Sequence, residues 1–251
     1  MDELKDFDAV VLATGGRVVR PQVPGVDLPL VATFEDVLRC KMTGCKFHGN
    51  GRQPPVECGQ RVLIWGDHFG AADAAEKLAA DGRQVFVVTE NRQFAAWMEP
   101  CHRDVMQKRF AGSNGEGLKR KPFEYPVAVI TDSTVLAIGA GGEVALIDNQ
   151  FRRSTLQVDS VVLASVEVND DLYGPLLAAG ITVAKIGDCR KVHNLRAAVT
   201  EGANIGLTLD ENLRLNANRA VISCLPTEVA AAGSNHLPGR SRAEQNPLGV
   251  S

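Results

Sequence analysis

The sequence predicts an α/β protein, and three stretches predict it. Arg61 to Glu90 (RVLIWGDHFGAADAAEKLAADGRQVFVVTE) reads as a strand, a tight turn, an alanine-rich helix, a Gly82-Arg83 turn and a second strand. Between Tyr125 and Leu163, short β-branched runs are separated by Gly139-Ala140-Gly141-Gly142 and Asp148-Asn149, which indicates a β-meander with hairpin turns. Thr182 to Ile186 is an apolar strand that meets Gly187-Asp188 and then a further helical stretch.

Composition sets the bounds. With 251 residues, 45% hydrophobic and 23% charged, the chain can bury a substantial core and form two lobes. A net charge of -3 gives no global field for nucleic acid or an anionic membrane, so neither is expected as a partner. No apolar run approaches membrane-spanning length, and Met1 is followed by Asp2, Glu3 and Lys5 rather than by a secretory leader. A cytoplasmic location is the expectation. Six cysteines without such a leader read as reduced thiols. Cys40, Cys45, His48 and Cys58 share one Gly- and Pro-containing loop and are weighed as a Cys3His zinc set. Their spacing lacks the tight pairs of structural zinc sites, so an inserted loop is favoured and no metal is assigned.

In chain order, Phe7 to Gly16 (FDAVVLATGG) is a strand apolar enough to be buried on both faces of a parallel sheet, ending on Thr14-Gly15-Gly16. Such a strand needs neighbours, so either the chain starts within a sheet or later segments supply them. Pro21, Pro24, Gly25 and Pro29 then forbid regular structure until a short helix near Thr33 to Leu38. Thr33 is its expected N-cap, with Asp36 three residues on in the capping-box position.

The Arg61 to Glu90 order, with a strand at Arg61 to Trp65, a helix at about Gly70 to Asp81 and a strand at Gln84 to Thr89, is that of a Rossmann nucleotide-binding unit. Its G-x-G-x-x-G fingerprint is altered. If Gly70 is the third glycine, Trp65 and Asp67 stand at the first two, where a ring and a carboxylate should crowd and repel a pyrophosphate. Gly70 with Ala71, Ala72, Ala74 and Ala75 keeps the close packing.

A helix is expected to start near Pro100, and Gly112 to Lys121 reads as a solvated turn whose basic cluster could also contact phosphate. The β-branched runs are Val127 to Thr131, Thr134 to Ile138, Glu143 to Ile147, Thr155 to Val158 and Val161 to Leu163. Val161 to Ala164 repeats the Val-Val-Leu-Ala of Val10 to Ala13. Helices are expected over Asp170 to Ala179 and Asn194 to Leu209, and residues 210–251 read as an extended tail with one apolar patch near Ala220 to Leu225. Asp188 is singled out as a carboxylate at the carboxyl end of a parallel strand and the mouth of a helix, where open α/β sheets bind ligands. The alternative is that it caps its own turn. His68, His102 and His193 have no Ser or Cys nucleophile at motif spacing, so no catalytic residue is assigned.

The ATGG strand, the PGVD connector, the Rossmann unit, the meander, the second VVLA strand and the IGDC-to-helix segment occur in an order that resembles a known group. Over about Phe7 to Leu209 the chain resembles the carboxyl-terminal part of the trimethylamine dehydrogenase and 2,4-dienoyl-CoA reductase group of old-yellow-enzyme-like flavoproteins. The resemblance implies an NAD(P)-type Rossmann lobe at 32–160 inserted into an incomplete FAD/ADP-binding lobe made of 1–31 and 161–209. Carried over by residue, Gly187 and Asp188 match the Gly-Asp motif that contacts FAD or ADP, and Thr14 and Gly15 flank the same cofactor. Gly70 matches the third fingerprint glycine, and Glu90 stands where an acidic residue would bind an adenosine ribose. The family's FMN and 4Fe-4S cluster sit in a barrel absent here, so a barrel-containing subunit, or the missing amino-terminal portion of the same enzyme, is the expected partner. It would carry the substrate chemistry, on amines, N-methylated compounds or enoyl-type acceptors. NAD(H) binding is put in doubt by Trp65 and Asp67. The readings that follow are a flavin- or nucleotide-binding subunit of such an oxidoreductase, a non-enzymatic adenine-nucleotide module, and an NADH-dependent flavin reductase.

Overall fold

The computed structural model describes residues 4, 6–38, 57–112, 123–215 and 221–222. Its first elements are β1 (Val10–Leu12), β2 (Gly16–Val18), β3 (Val31–Thr33), α1 (Phe34–Leu38), β4 (Arg61–Trp65), α2 (Phe69–Ala80), β5 (Gln84–Val88), α3 (Pro100–Phe110) and β6 (Ala128–Ile130). There follow β7 (Ser133–Ile138), β8 (Glu143–Asp148), β9 (Arg153–Gln157), β10 (Ser160–Leu163), β11 (Val166–Val168), α4 (Tyr173–Ala178), β12 (Val183–Lys185), α5 (Leu195–Leu215) and β13 (Val221–Ile222). They divide into two compact units, Ala13–Asp170 with Asp188–Asn194, and Met1–Leu12 with Asp171–Gly187 and Leu195–Ser251.

The larger unit is built on a five-stranded parallel sheet in the order β3-β10-β4-β5-β6. Alternation along β4 decides which layer each side chain joins. Val62 and Ile64 pack with Val37 of α1, the alanines and Leu78 of α2, and Met106 and Phe110 of α3. Leu63 and Trp65 pack with Val135, Ile138, Val144 and Leu146 of the β7-β8-β9 meander. Both faces of the sheet are therefore covered, helices on one and meander on the other, which is why β4 and β10 are apolar at successive positions.

Several local expectations hold. Strand β4 has the bounds read from the sequence, α3 begins at Pro100, and the Thr33–Asp36 box is reciprocal. The Asp36 amide donates to the Thr33 hydroxyl at 3.2 Å, while the Thr33 amide donates to the Asp36 carboxylate at 2.9 Å.

Three expectations are corrected. The run at Val127 to Thr131 is not part of the meander: β6 pairs parallel with β5 and completes the large sheet. The strand at Val161, expected to begin the second half of a split lobe, lies between β3 and β4 in that same sheet. Its apolar repeat of the first strand reports burial on two faces, and does not specify which sheet provides it. The first strand is shorter than expected, and Val11 is 36% exposed while Leu12 is buried.

A two-stranded antiparallel ribbon, β2 with β11, also belongs to the larger unit, with Arg17 and Glu167 paired at 2.8 Å. The smaller unit holds the parallel sheet β1-β12-β13 with α4 and α5. Here too the structure differs from the expected tail: α5 runs on to Leu215, and Val221 and Ile222 from the apolar patch add a strand beside β12. Cys40, Cys45, His48 and the basic cluster near Lys121 lie outside the described residues. Cys58 is buried with the helical layer, and burial pushes its thiol up. Among the described residues no helix is long and apolar enough to cross a membrane.

Candidate functional site

Strand β4 ends on Trp65, and the chain turns through Gly66, Asp67 and His68 before α2. Gly66 has φ 137°, and a Cβ there would lie 2.5 Å from the Ala164 carbonyl carbon just past β10, so the turn requires glycine. Trp65 does not fill this turn in the manner expected. Its ring is buried with the meander-side core and forms only one wall of the cleft beyond.

Asp67 is held from several directions. One carboxylate oxygen accepts from the Trp97 indole at 2.7 Å and the Ala95 amide at 2.9 Å, and the other accepts from the Asn91 side chain at 2.8 Å. All three donors come from the loop that follows β5. Arg103 in α3 braces that loop from the other side by donating to the Ala96 carbonyl at 3.2 Å. Trp97 in turn lies against Phe69, the first residue of α2, with ring centroids 3.8 Å apart.

His68 caps the helix itself. Its Nδ1 accepts the Gly70 amide at 3.3 Å, which fixes the imidazole as neutral at that nitrogen. Burial holds the His68 pKa below its ordinary value, against the opposing pull of the Asp188, Asp67 and Asp73 carboxylates. Gly70 retains a packing role with a different neighbour from the one expected. A Cβ there would lie 2.2 Å from the Phe34 ring, so the glycine admits α1 rather than a strand.

Trp65, Gly66, Asp67 and His68 line a cleft of about 280 Å³ at the carboxyl ends of β4, β5 and β10, together with Thr89, Glu90, Asn91, Ser165, Val166 and Val192. Glu90 lies two residues beyond the end of β5, exposed at this cleft. Among the described residues, no lysine or arginine lines it. The lining offers carboxylates, hydroxyls and an amide, a surface suited to hydrogen-bond donors and poorly suited to anions.

Thr14, Gly15 and Asp188 meet at a second turn of the larger unit. Thr14 donates its hydroxyl to the Asn169 carbonyl, and Gly15, at φ 75°, accepts the Asn169 amide at 3.2 Å. The chain then enters β2, where a Cβ on Gly16 would lie 3.7 Å from that of Asp188. Thr14, Gly15 and Asp188 are thus brought together in the larger unit, while Glu90 lines the cleft and Gly70 is buried behind it against Phe34. Asp188 accepts the His193 amide at 3.0 Å through one oxygen, so it does cap its own turn and keeps a second oxygen for other contacts. In the smaller unit, Gly187, at φ 63°, donates its amide to Glu201 at 2.7 Å.

No family model matches the chain. It is 26% identical over 202 residues to an NADH oxidase of Thermoanaerobacter brockii, covering 79% of this chain and 27% of that protein. It is 29% identical over 198 residues to a bilirubin reductase of Mediterraneibacter gnavus, covering 78% and 26%. The solved histamine dehydrogenase of Rhizobium sp. 4-9 shares the fold with TM-score 0.57 at 23% identity, over 82% of this chain and 31% of that one. The chain is homologous to the carboxyl-terminal dinucleotide-binding region of the group named above. It spans about a quarter of the length of the curated relatives it matches, and those relatives are oxidoreductases.

The sequence reading missed one residue, Glu201, and the role of another, Asp67. Glu201 is buried at 7% exposure, and its signal was available: at four residues before the buried Ile205 it falls on the inner face of α5. The anchoring role of Asp67 left no local signal, because its partners lie 24 to 30 residues away.

Proposed function

We propose that this chain is the flavin- or adenine-nucleotide-binding part of a multi-component oxidoreductase of the FMN and iron–sulfur type. The observation that carries the reading is the β12 turn, in a chain homologous to a quarter of two oxidoreductases. There Gly187 is clamped through its amide by buried Glu201, and Asp188 follows at the mouth of the turn. A carboxylate at the carboxyl end of a parallel strand is placed to accept hydroxyls of a ribityl or ribose chain. On this reading Thr14, Gly15 and Asp188 hold FAD or ADP, Gly187 makes the turn that leads into Asp188, and the five-stranded sheet with its helices is the inserted NAD(P)-type fold.

The chemistry of substrate oxidation or reduction belongs to a barrel-bearing partner with FMN and a 4Fe-4S cluster. Support for a partner comes from α5, where Leu195, Val199, Ala203 and Leu207 are all exposed at four-residue intervals. Such a row lies along one side of a helix and is the usual mark of a covered surface. Val11 on β1, the edge strand of the smaller sheet among the described residues, adds exposed apolar area in the same unit.

A second reading, a non-enzymatic adenine-nucleotide module, is favoured by the rebuilt β4–α2 turn, which leaves no evident route for a hydride through this lobe. The test of the cofactor assignment is Asp188→Ala in the purified assembly. Released flavin and adenine nucleotide, quantified by chromatography, should fall about tenfold or more, as expected for loss of a charge-assisted hydrogen bond or two. Unchanged cofactor content with the same melting temperature would remove Asp188 from the site.

A further inference from the structure

We infer that Asp67 is an internal stand-in for a dinucleotide pyrophosphate, and that by occupying that position it closes this Rossmann unit to NADH. The inference concerns the β4–α2–β5 turn alone and does not depend on the flavin site proposed above.

In a working unit the strand-to-helix turn leaves room and unpaired N–H groups for two phosphates at the helix N-terminus. Here both provisions are used internally. The Gly70 amide is capped by His68. The second fingerprint position carries the Asp67 carboxylate, which takes the Trp97 indole, the Ala95 amide and the Asn91 amide as its donors. An anion is therefore present at the turn, covalently attached and already satisfied.

Its consequence is architectural. The loop after β5 is drawn onto the start of α2, where Trp97 meets Phe69. Ala95 is fully buried and held at φ 58°, in the left-handed region that alanine disfavours. It persists because its amide is bonded to Asp67 and its neighbour's carbonyl to Arg103. A pyrophosphate would have to displace a satisfied carboxylate into a cleft that also presents Glu90 and, among the described residues, no lysine or arginine. Exclusion thus follows from consumed donors as well as from charge. Deleting Asp67 would not reopen a nucleotide site, because the loop it anchors would lose its register.

The experiment titrates NADH into the natural protein, Asp67→Asn and Asp67→Gly by calorimetry, and follows the Trp97 indole N–H resonance, assigned with Trp97→Phe. The natural protein should show no saturable NADH binding and a downfield indole proton protected from solvent exchange. Asp67→Asn should lose that downfield shift, and Asp67→Gly should melt lower by about 5 °C or more without gaining NADH affinity. Saturable NADH binding to the natural protein that Asp67→Asn alters would overturn the inference. So would an Asp67→Gly protein that keeps its melting temperature and indole resonance, since Asp67 would then anchor nothing. If Asp67→Gly does not fold, the Asp67→Asn resonance and the natural protein's titration still decide. Bound flavin, read in the same samples, reports separately on the Asp188 site.

Discussion

At the scale of single residues, His68 ties the helix cap to pH. Its Nδ1 accepts the Gly70 amide only while unprotonated, and burial lowers its pKa in the folded protein. The unfolded chain therefore takes up the proton first. The stability His68 contributes is complete above its ordinary pKa of 6.5 and declines as pH falls through that value toward the folded one. His68→Asn keeps an acceptor for the Gly70 amide without the titration. Its melting temperature should fall less steeply than that of the natural protein between about pH 7 and pH 5. Parallel curves would mean that the imidazole is not the group that titrates. Asp67 shows how far residue identity alone can be read. Its position in the damaged fingerprint was legible, and so was the conflict with a pyrophosphate. That the carboxylate is satisfied by Trp97, Ala95 and Asn91 was not, because those contacts depend on how the next loop folds back.

At the scale of elements, the best-read parts are those whose pattern is set by local geometry. The alternation in Arg61–Trp65, the small residues of α2 and the Thr33–Asp36 box each specify their element without help from distant chain. Strand membership was harder. Both Val161–Leu163 and Val10–Leu12 are apolar, yet the first is fully buried within a five-stranded sheet and the second is the edge of a three-stranded one. Two strands of the same composition differ in neighbours, and composition does not name neighbours. The packing of α1 on α2 makes a prediction of its own. Adding a methyl group at Gly70 places it 2.2 Å from the Phe34 ring, so Gly70→Ala should force α1 away. A loss of about 1–3 kcal/mol in unfolding free energy is expected, measured by denaturant titration. A neutral result would show that Phe34 rotates away at no cost.

At the scale of the whole molecule, the two units carry different signatures. The larger has a sheet covered on both faces, and at its β4–α2 turn the Asp67 carboxylate is bonded by Asn91, Ala95 and Trp97. The smaller presents an apolar row on α5, with Leu195 at 80%, Val199 at 62% and Leu207 at 85% exposure. The corresponding proposal is a scaffold that has kept its β4–α2–β5 fold for its shape and, with a partner, holds its cofactor at the turn of Thr14, Gly15 and Asp188. The sequence order of motifs was enough to reach the homologous region. The exposure of α5 was not legible in it, because an apolar helix face looks the same in sequence whether its cover lies in the same unit or in another molecule.

The most direct measurement is the partner and chromophore content of the assembly captured on this chain from its native cells, compared with a Leu195→Glu/Leu207→Glu variant. Visible absorbance, released-cofactor chromatography and mass spectrometry read the two preparations. The account predicts flavin together with an FMN- and iron–sulfur-bearing partner on the natural chain. It also predicts joint loss of partner and flavin, about tenfold or more, in a variant that is still folded. A natural chain that purifies as a cofactor-free monomer with a cooperative melt, indistinguishable from the variant, would contradict it.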